Sequence, residues 1–157
     1  MEIELVWGSG EGATALSAFD AALAQAGVHN YNLVELSSVI PPEASVIERG
    51  THDQSWPVGT IVATVLSSAR STVSGETIAA GLGWATAEEG GVFLEATAES
   101  SENVTVQLSR GIETAKQQRP EWNWDNDLRT KVCAHTVEDN GAVVVAALYH
   151  PLTLFKS

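Results

Sequence analysis

Alternation of apolar and polar side chains predicts a chain rich in β-strands. Near the start, Ile3, Leu5 and Trp7 alternate with largely acidic neighbours, which is typical of a strand with one mostly polar face. A longer β-branched and apolar run over 59–69 is typical of a central strand with both faces covered. The same criteria predict further strands over 32–36, 44–48, 92–98, 128–137 and 142–149.

Apolar side chains at helical spacing predict three helices. The first lies between Thr14, which can cap its start, and Gly27, which suits the position just after its end. The second is expected over 76–84. The third, over 104–118, has one apolar stripe and is stopped by Pro120.

Glycine positions predict two breaks in the chain. The segment 8–12 is expected to be a loop; it lacks the lysine and the spacing of phosphate-binding loops, and Glu11 would repel phosphate. Asn140 and Gly141 predict a hairpin between the last two strands. Because strands and helices occur in mixed order, we expect one α+β domain with mixed or antiparallel sheets and outer helices.

The composition narrows the classes of function. At 157 residues the chain is most simply a single domain with a real core. Eight basic residues against twenty acidic ones give a net charge of −12, which argues against nucleic-acid or membrane binding and suits a small cationic ligand. The single cysteine, Cys133, and the lack of a long apolar run predict a cytoplasmic location. An acid-rich, lysine-poor surface is also one way to stay soluble in high salt.

The pair Ser37-Ser38, followed by Pro41 and Pro42 after the predicted strand 32–36, suggests self-cleavage. The Ser38 hydroxyl can attack the carbonyl carbon of Ser37 to form an ester. Elimination then leaves dehydroalanine, and hydrolysis with loss of ammonia leaves a pyruvoyl group. The short motif alone is more simply a polar loop exit in which the prolines end the strand.

Motifs elsewhere in the chain favour self-cleavage. They occur in order at 8–14, 17–23, 26–33, 37–44, 75–78, 91–95, 135–138 and 142–149. Together these segments resemble the pyruvoyl-dependent arginine decarboxylase family over most of the chain. The Ser-Ser-Pro-Pro segment and the helix containing Phe19 and Asp20 are the specific parts of the resemblance.

The resemblance implies an activity, a fold and an assembly. A pyruvoyl group formed from Ser38 is the implied covalent cofactor, which would bind the substrate amine as a Schiff base while arginine is converted to agmatine and carbon dioxide. Cleavage would divide the chain into a smaller chain, 1–37, and a larger chain, 38–157. The implied fold is a four-layer αββα sandwich, and the implied assembly is a homotrimer with active sites between neighbouring protomers.

Three further site residues are implied by the same resemblance. Glu95 is the implied general acid, Asp20 the implied partner of the substrate guanidinium, and Asn32 the implied helper of self-cleavage. A carboxyl group among apolar neighbours, as at Glu95, is expected to have a raised pKa. From the residues alone, Glu95 is more simply a glutamate on a solvent-facing strand surface, Asp20 an exposed helix residue and Asn32 a turn residue.

Two alternatives stay open. The first is the same chemistry on a different amino acid, and the second is a non-catalytic binding protein that never cleaves itself. His29, near the proposed site, departs most from the family pattern and could alter substrate choice if it faces the pocket. The spacing of His29, His52, His135 and His150 matches no compact metal motif, so no metal site is expected.

Overall fold

A computed structural model describes residues 1–152, which form an α+β fold with two helices and nine strands. Residues 153–157, which end the larger chain expected from self-cleavage (38–157), lie outside the described residues. In chain order the elements are β1 (Glu2–Glu11), α1 (Ala15–Gln25), β2 (Asn32–Glu35), β3 (Val39–Ile40), β4 (Ser45–Gly50), β5 (Ile61–Ser71), β6 (Thr77–Ala87), β7 (Gly90–Ala98), α2 (Ser101–Gln117), β8 (Arg129–Thr136) and β9 (Gly141–Pro151).

The strands belong to two sheets. Within the described residues, the first sheet has the order β2-β5-β9-β1-β4 and the second has the order β3-β7-β6-β8. In the first sheet β9 pairs antiparallel with β1 and β5, while the edge strands β4 and β2 are parallel to their neighbours. All pairs of the second sheet are antiparallel. The prediction of mixed and antiparallel sheets is confirmed.

Apolar side chains from both sheets form the central core. Leu5, Val65 and Ala147 of the first sheet belong to one buried cluster with Leu82 and Phe93 of the second. Burial of this apolar surface between the sheets is the main force that holds them together.

Each helix packs on one of the sheets. The buried alanines of α1, Ala18 and Ala22, cluster with Val6 and Val144 of the first sheet. Val104 and Leu108 of α2 cluster with Ala79 of the second sheet, and Ile112 of the same helix packs near Ala85 and Val92.

The predicted helix over 76–84 is wrong, because this segment forms the central strand β6. Its glycines face α2. A Cβ atom on Gly81 would lie 2.8 Å from Val104 Cγ1, and one on Gly83 would lie 3.1 Å from Leu108 Cβ. The glycines therefore let α2 approach the strand closely. The neighbouring alanines, Ala79 and Ala80, favour helices and make the segment resemble one in sequence.

The predicted loop over 8–12 is also wrong for most of its length, because β1 continues to Glu11. A Cβ atom on Gly8 would lie 2.4 Å from the carbonyl oxygen of Ala22, and one on Gly10 would lie 2.6 Å from Ala21 Cβ. These glycines allow α1 to lie against the strand.

The predicted hairpin between the last two strands does not form. β8 pairs with β6 in the second sheet, whereas β9 pairs with β1 and β5 in the first. Glu11 holds the connection: its Oε1 accepts hydrogen bonds from the backbone N–H groups of Glu138 and Asp139 at 2.6 and 2.9 Å. These bonds, led by the one from Asp139, lower the pKa of Glu11 despite some burial.

The other predicted elements are confirmed to within a few residues. Helix α1 starts after Thr14, whose Oγ1 accepts from the Ser17 N–H at 3.0 Å, and Gly27 follows its end with a φ of +79°. The short strand β3, immediately before Pro41, was not predicted, because the prolines indicated the end of a strand.

Candidate active site

Ser38 lies where the chain crosses from the first sheet to the second. Strand β2 of the first sheet ends at Glu35, and β3 of the second sheet begins at Val39. Ser38 has a φ of +91°, which is unfavourable for a residue with a side chain. Such a backbone conformation costs about 1–3 kcal/mol and persists only where the surroundings impose it.

Hydrogen bonds on both sides impose this conformation. Before Ser38, the N–H of Leu36 donates to the carbonyl oxygen of Thr64 at 2.9 Å. After the crossing, the Phe93 N–H donates to the carbonyl oxygen of Ser38 at 2.8 Å. The sheets thus fix the backbone at both ends of the segment that contains the Ser37-Ser38 bond.

Tyr149 adds a third anchor. Its hydroxyl donates to the carbonyl oxygen of Val39 at 2.8 Å. Tyr149 belongs to β9 of the first sheet and is buried, and this burial raises the pKa of its hydroxyl well above the usual range. The group therefore stays a neutral donor at all physiological pH values.

A cavity of about 280 Å³ opens beside Ser38. Two elements supply its charged side chains: Glu95 comes from β7, and Arg119 follows the end of α2. The remaining lining residues are Ser37, Ser38, Val39, Val92, Phe93, Leu94 and Ala115. The cavity therefore combines a strained serine, one carboxyl group and one guanidinium cation with a wall that is partly polar and partly apolar.

Glu95 has the electrostatic property of a proton donor. Its side chain is exposed in the single chain, as the alternating strand pattern predicted, but partial burial, and second the negative charge of Glu35, raise the pKa of its carboxyl group. A neighbouring cavity of about 470 Å³, which Gln107 also lines, contains both Glu35 and Glu95. A raised pKa keeps more of the Glu95 carboxyl protonated near neutral pH, as general acid catalysis requires.

Asp20 and Asn32 lie apart from this cavity within the single chain. Asp20 is exposed on α1 and lines a cavity of about 540 Å³ that shares no residue with the Ser38 cavity. The Nδ2 group of Asn32 donates to the carbonyl oxygen of Gly59 at 3.0 Å. The structure thus brings together Ser37, Ser38 and Glu95, whereas the roles of Asp20 and Asn32 stay predictions.

Histidines do not border the Ser38 cavity. His29 is exposed and is not among the residues that line it. His52 is buried against Glu4, with Nδ1 and Oε2 3.2 Å apart, and His135 Nε2 lies 3.2 Å from Oε2 of Glu11. Over residues 1–152 no three metal-binding side chains converge, and no helix is long and apolar enough to cross a membrane.

Three contributors to the site were not found from the sequence. Tyr149 ends a run of buried apolar residues. Its hydroxyl group, which needs a hydrogen-bond partner when buried, was the feature of the sequence that could have indicated its role. Arg119 precedes Pro120 in a polar stretch and has no local signal. Phe93 acts through its backbone N–H, which no sequence pattern reveals.

The sequence comparisons agree with this geometry. A family model described as pyruvoyl-dependent arginine decarboxylase matches residues 2–153. A protein of that name from Halobacterium salinarum is 36% identical over 152 residues, covering 94% of this chain and 92% of the relative. The same-named proteins of Methanocaldococcus jannaschii and Thermococcus kodakarensis are 33% and 34% identical, covering 92% and 88% of this chain and 87% of each relative. With its strained Ser38 beside Glu95, the chain belongs to the pyruvoyl-dependent arginine decarboxylase family.

Proposed function

We propose that the chain cleaves itself between Ser37 and Ser38 and then decarboxylates arginine to agmatine and carbon dioxide. The observation that carries this proposal is the φ of +91° at Ser38, beside a cavity that also contains Glu95. The same site on an amine-binding protein without catalysis would need neither the strain nor an acid with a raised pKa.

Backbone strain drives the cleavage step. The Ser38 hydroxyl oxygen attacks the carbonyl carbon of Ser37, the C–N bond between the two residues breaks, and the Ser38 nitrogen takes up a proton. Elimination breaks the Cβ–Oγ bond of residue 38 and frees the Ser37 carboxylate. Hydrolysis then releases ammonia and leaves a ketone at residue 38. Fragments 1–37 and 38–157 result, and the strain at residue 38 is released.

The surrounding residues fit a pyruvoyl group at position 38. Such a group supplies a ketone that binds the substrate amine and an adjacent carbonyl that withdraws electrons from Cα. The Phe93 N–H already holds that carbonyl oxygen at 2.8 Å, a geometry suited to developing negative charge. Val92 and Leu94 limit the access of water, and Glu95 holds the proton that Cα receives when carbon dioxide leaves.

Asp20 binds the guanidinium group of the substrate in this proposal. Two carboxylate oxygens match the paired N–H donors of a guanidinium. Because Asp20 lies in a different cavity from Ser38 of its own chain, the proposal includes a homotrimer in which Asp20 reaches the site of a neighbouring protomer. The cavity that Asp20 lines is mainly apolar, with Leu16, Phe19 and Leu23 in its wall, and such an apolar surface on α1 supports contact with another protomer.

In the proposed trimer, Asn32 assists self-cleavage by polarising a Ser37 carbonyl group; because it does not line the Ser38 cavity of its own chain, this role, like that of Asp20, depends on the assembled protomers. Its Nδ2 donates to Gly59, so the second N–H of the amide is the group available for this role. The four-layer order, with α1 outside the first sheet and α2 outside the second, is the finer fold that we propose. It is supported by the separate clusters that each helix forms with one sheet. We also propose that the enzyme works in the cytoplasm.

Intact mass spectrometry with a decarboxylation assay tests the proposal. The wild-type protein should yield two fragments, with the larger reacting with a carbonyl reagent, and should release carbon dioxide from arginine. Ser38→Ala should stay whole and inactive. A single uncleaved species after long incubation would favour the non-catalytic alternative. Release from another amino acid in preference to arginine would move the substrate assignment to that amino acid.

A further inference from the structure

Arg119 has a charge without a carboxylate partner at the Ser38 cavity. Among the described residues that line this cavity it is the only basic one. Within residues 1–152, no carboxylate oxygen lies within 4.0 Å of its guanidinium nitrogens. In a chain with twenty acidic and eight basic residues, this leaves a cation available to an anionic ligand.

Local contacts hold the Arg119 side chain at the cavity. Its Nη1 donates to the carbonyl oxygen of Ala115 at 3.1 Å, and its guanidinium carbon lies 5.4 Å from the centre of the Trp122 ring. The Trp124 Nε1 donates to the Arg119 carbonyl oxygen at 3.2 Å and fixes its backbone. A side chain ordered before binding loses less conformational entropy when a ligand arrives.

We propose that Arg119 binds the α-carboxylate of the substrate. This inference rests on the proposed decarboxylase function and adds a residue that determines how the substrate is oriented. A guanidinium group can donate two parallel hydrogen bonds to a carboxylate. It also repels the cationic far end of arginine, so the substrate enters with its amine at residue 38 and its side chain directed away from Arg119.

The contact acts on the bound substrate rather than on the reacting state. The carboxylate loses its charge as the Cα–carboxylate bond breaks and carbon dioxide forms, so the ion pair with Arg119 weakens during the reaction. An interaction that favours the bound substrate mainly lowers KM. Agmatine lacks the carboxylate and cannot use this contact, which favours release of the product.

The test compares arginine with agmatine in Arg119 variants. The Arg119→Gln variant should still cleave itself, as measured by intact mass spectrometry. Its KM for arginine should be about tenfold higher or more, whereas inhibition by agmatine should be unchanged or stronger. Arg119→Lys should give an intermediate KM, because it keeps the charge but loses the paired donors. Arg110→Gln is the matched control, since Arg110 is exposed on α2 and does not line the cavity.

The outcomes separate this role from a structural one. Equal weakening of arginine and agmatine binding, or an unchanged KM for arginine, overturns the assignment. If Arg119→Gln does not fold or cleave, the same comparison with Arg119→Lys decides between these outcomes. Wild-type protein that decarboxylates no amino acid contradicts the proposed function and the Arg119 role together. If the wild-type enzyme prefers another amino acid, the comparison is made with that amino acid and its decarboxylated product in place of arginine and agmatine.

Discussion

The hydroxyl of Tyr149 donates to the carbonyl oxygen of Val39 at 2.8 Å and joins the two sheets one residue after Ser38. This hydrogen bond links a side chain of the first sheet to the backbone of the second sheet, next to the proposed cleavage site. Together with the Phe93 N–H bond to Ser38, it keeps the chain from relaxing away from the positive φ.

Tyr149→Phe should slow self-cleavage without preventing it. The variant leaves the Val39 carbonyl without its donor, which should lower the free energy of unfolding by about 1–3 kcal/mol and relax the strain at Ser38. The rate is measured by intact mass over time after synthesis. Tyr31→Phe is the matched control, because the buried Tyr31 hydroxyl has no hydrogen-bond partner in the described part of the chain. Equal cleavage rates in Tyr149→Phe and wild type would refute the anchoring role.

Glu95→Gln should be cleaved normally but should lose most of its turnover, because an amide cannot protonate Cα. In the wild type, turnover should fall as pH rises through the raised pKa of Glu95, since only the protonated form donates. Glu35→Gln removes a nearby negative charge, lowers the pKa of Glu95 and should shift this fall to lower pH.

The pH profile of turnover measures the shift, with Glu48→Gln as the control. Glu48 is an exposed strand glutamate at the opposite edge of the first sheet from Glu35. The same pKa makes a prediction for stability. The pKa of Glu95 is higher in the folded than in the unfolded protein. Wild type should therefore lose stability relative to Glu95→Gln as pH rises from the unfolded-state pKa through the folded-state pKa. A pH profile that is identical in Glu35→Gln and wild type would exclude the coupling.

Asp20→Asn should weaken the binding of arginine and of agmatine to the same degree, because both molecules carry the guanidinium group. This distinguishes it from Arg119→Gln, which should affect arginine alone. Mixing chains tests whether sites are shared: co-expressed Asp20→Asn and Glu95→Gln chains should regain activity that neither has alone. Such recovery requires a site built from two protomers. Failure to recover, in assemblies shown to contain both chains, would place Asp20 in the site of its own chain.

The sequence predicted the site better where chemistry is local than where packing decides. The strand that carries Glu95 leaves a local pattern, whereas Ser38 and Glu95 could be identified only through the family resemblance, because the residues alone favoured a loop exit and a solvent-facing glutamate. Arg119 reaches the Ser38 cavity from the end of α2, and Tyr149 anchors the backbone beside it through the pairing of β9 in the other sheet. The periodicity of apolar residues within one segment does not predict which distant segments pack together.

The errors in the fold have the same physical origin. Gly8 and Gly10 in β1 predicted a loop, because glycine usually weakens a strand, and the alanine-containing start of β6 predicted a helix, because alanine favours helices. Here a helix lies so close to each strand that a Cβ atom would collide with it. The segment before Asn140-Gly141 joins strands of different sheets, and Glu11 from the other end of the chain holds it by accepting hydrogen bonds from the N–H groups of Glu138 and Asp139.

Gly81→Ala should destabilise the fold by about 1–3 kcal/mol, because the new methyl group meets Val104 and the backbone oxygen of Lys131, at 2.8 and 2.9 Å. Urea unfolding measures the effect. Gly111→Ala is the control: the three atoms nearest to its methyl group all belong to the flexible Leu94 side chain, the nearest at 3.1 Å, and alanine favours the helix. The control should therefore cost less than Gly81→Ala. A smaller loss for Gly81→Ala than for Gly111→Ala would show that α2 can move away from β6.

Added salt should stabilise the protein. With a net charge of −12, repulsion among carboxylates opposes the compact state, and ions screen this repulsion over about 10 Å at 0.1 M and about 3 Å at 1 M. The free energy of unfolding, measured in urea because urea is uncharged, should therefore rise between these two concentrations of sodium chloride. Sucrose at matched osmolarity controls for general exclusion of solutes from the protein surface. A gain in sucrose as large as that in salt would show that screening of the acidic surface is not the cause.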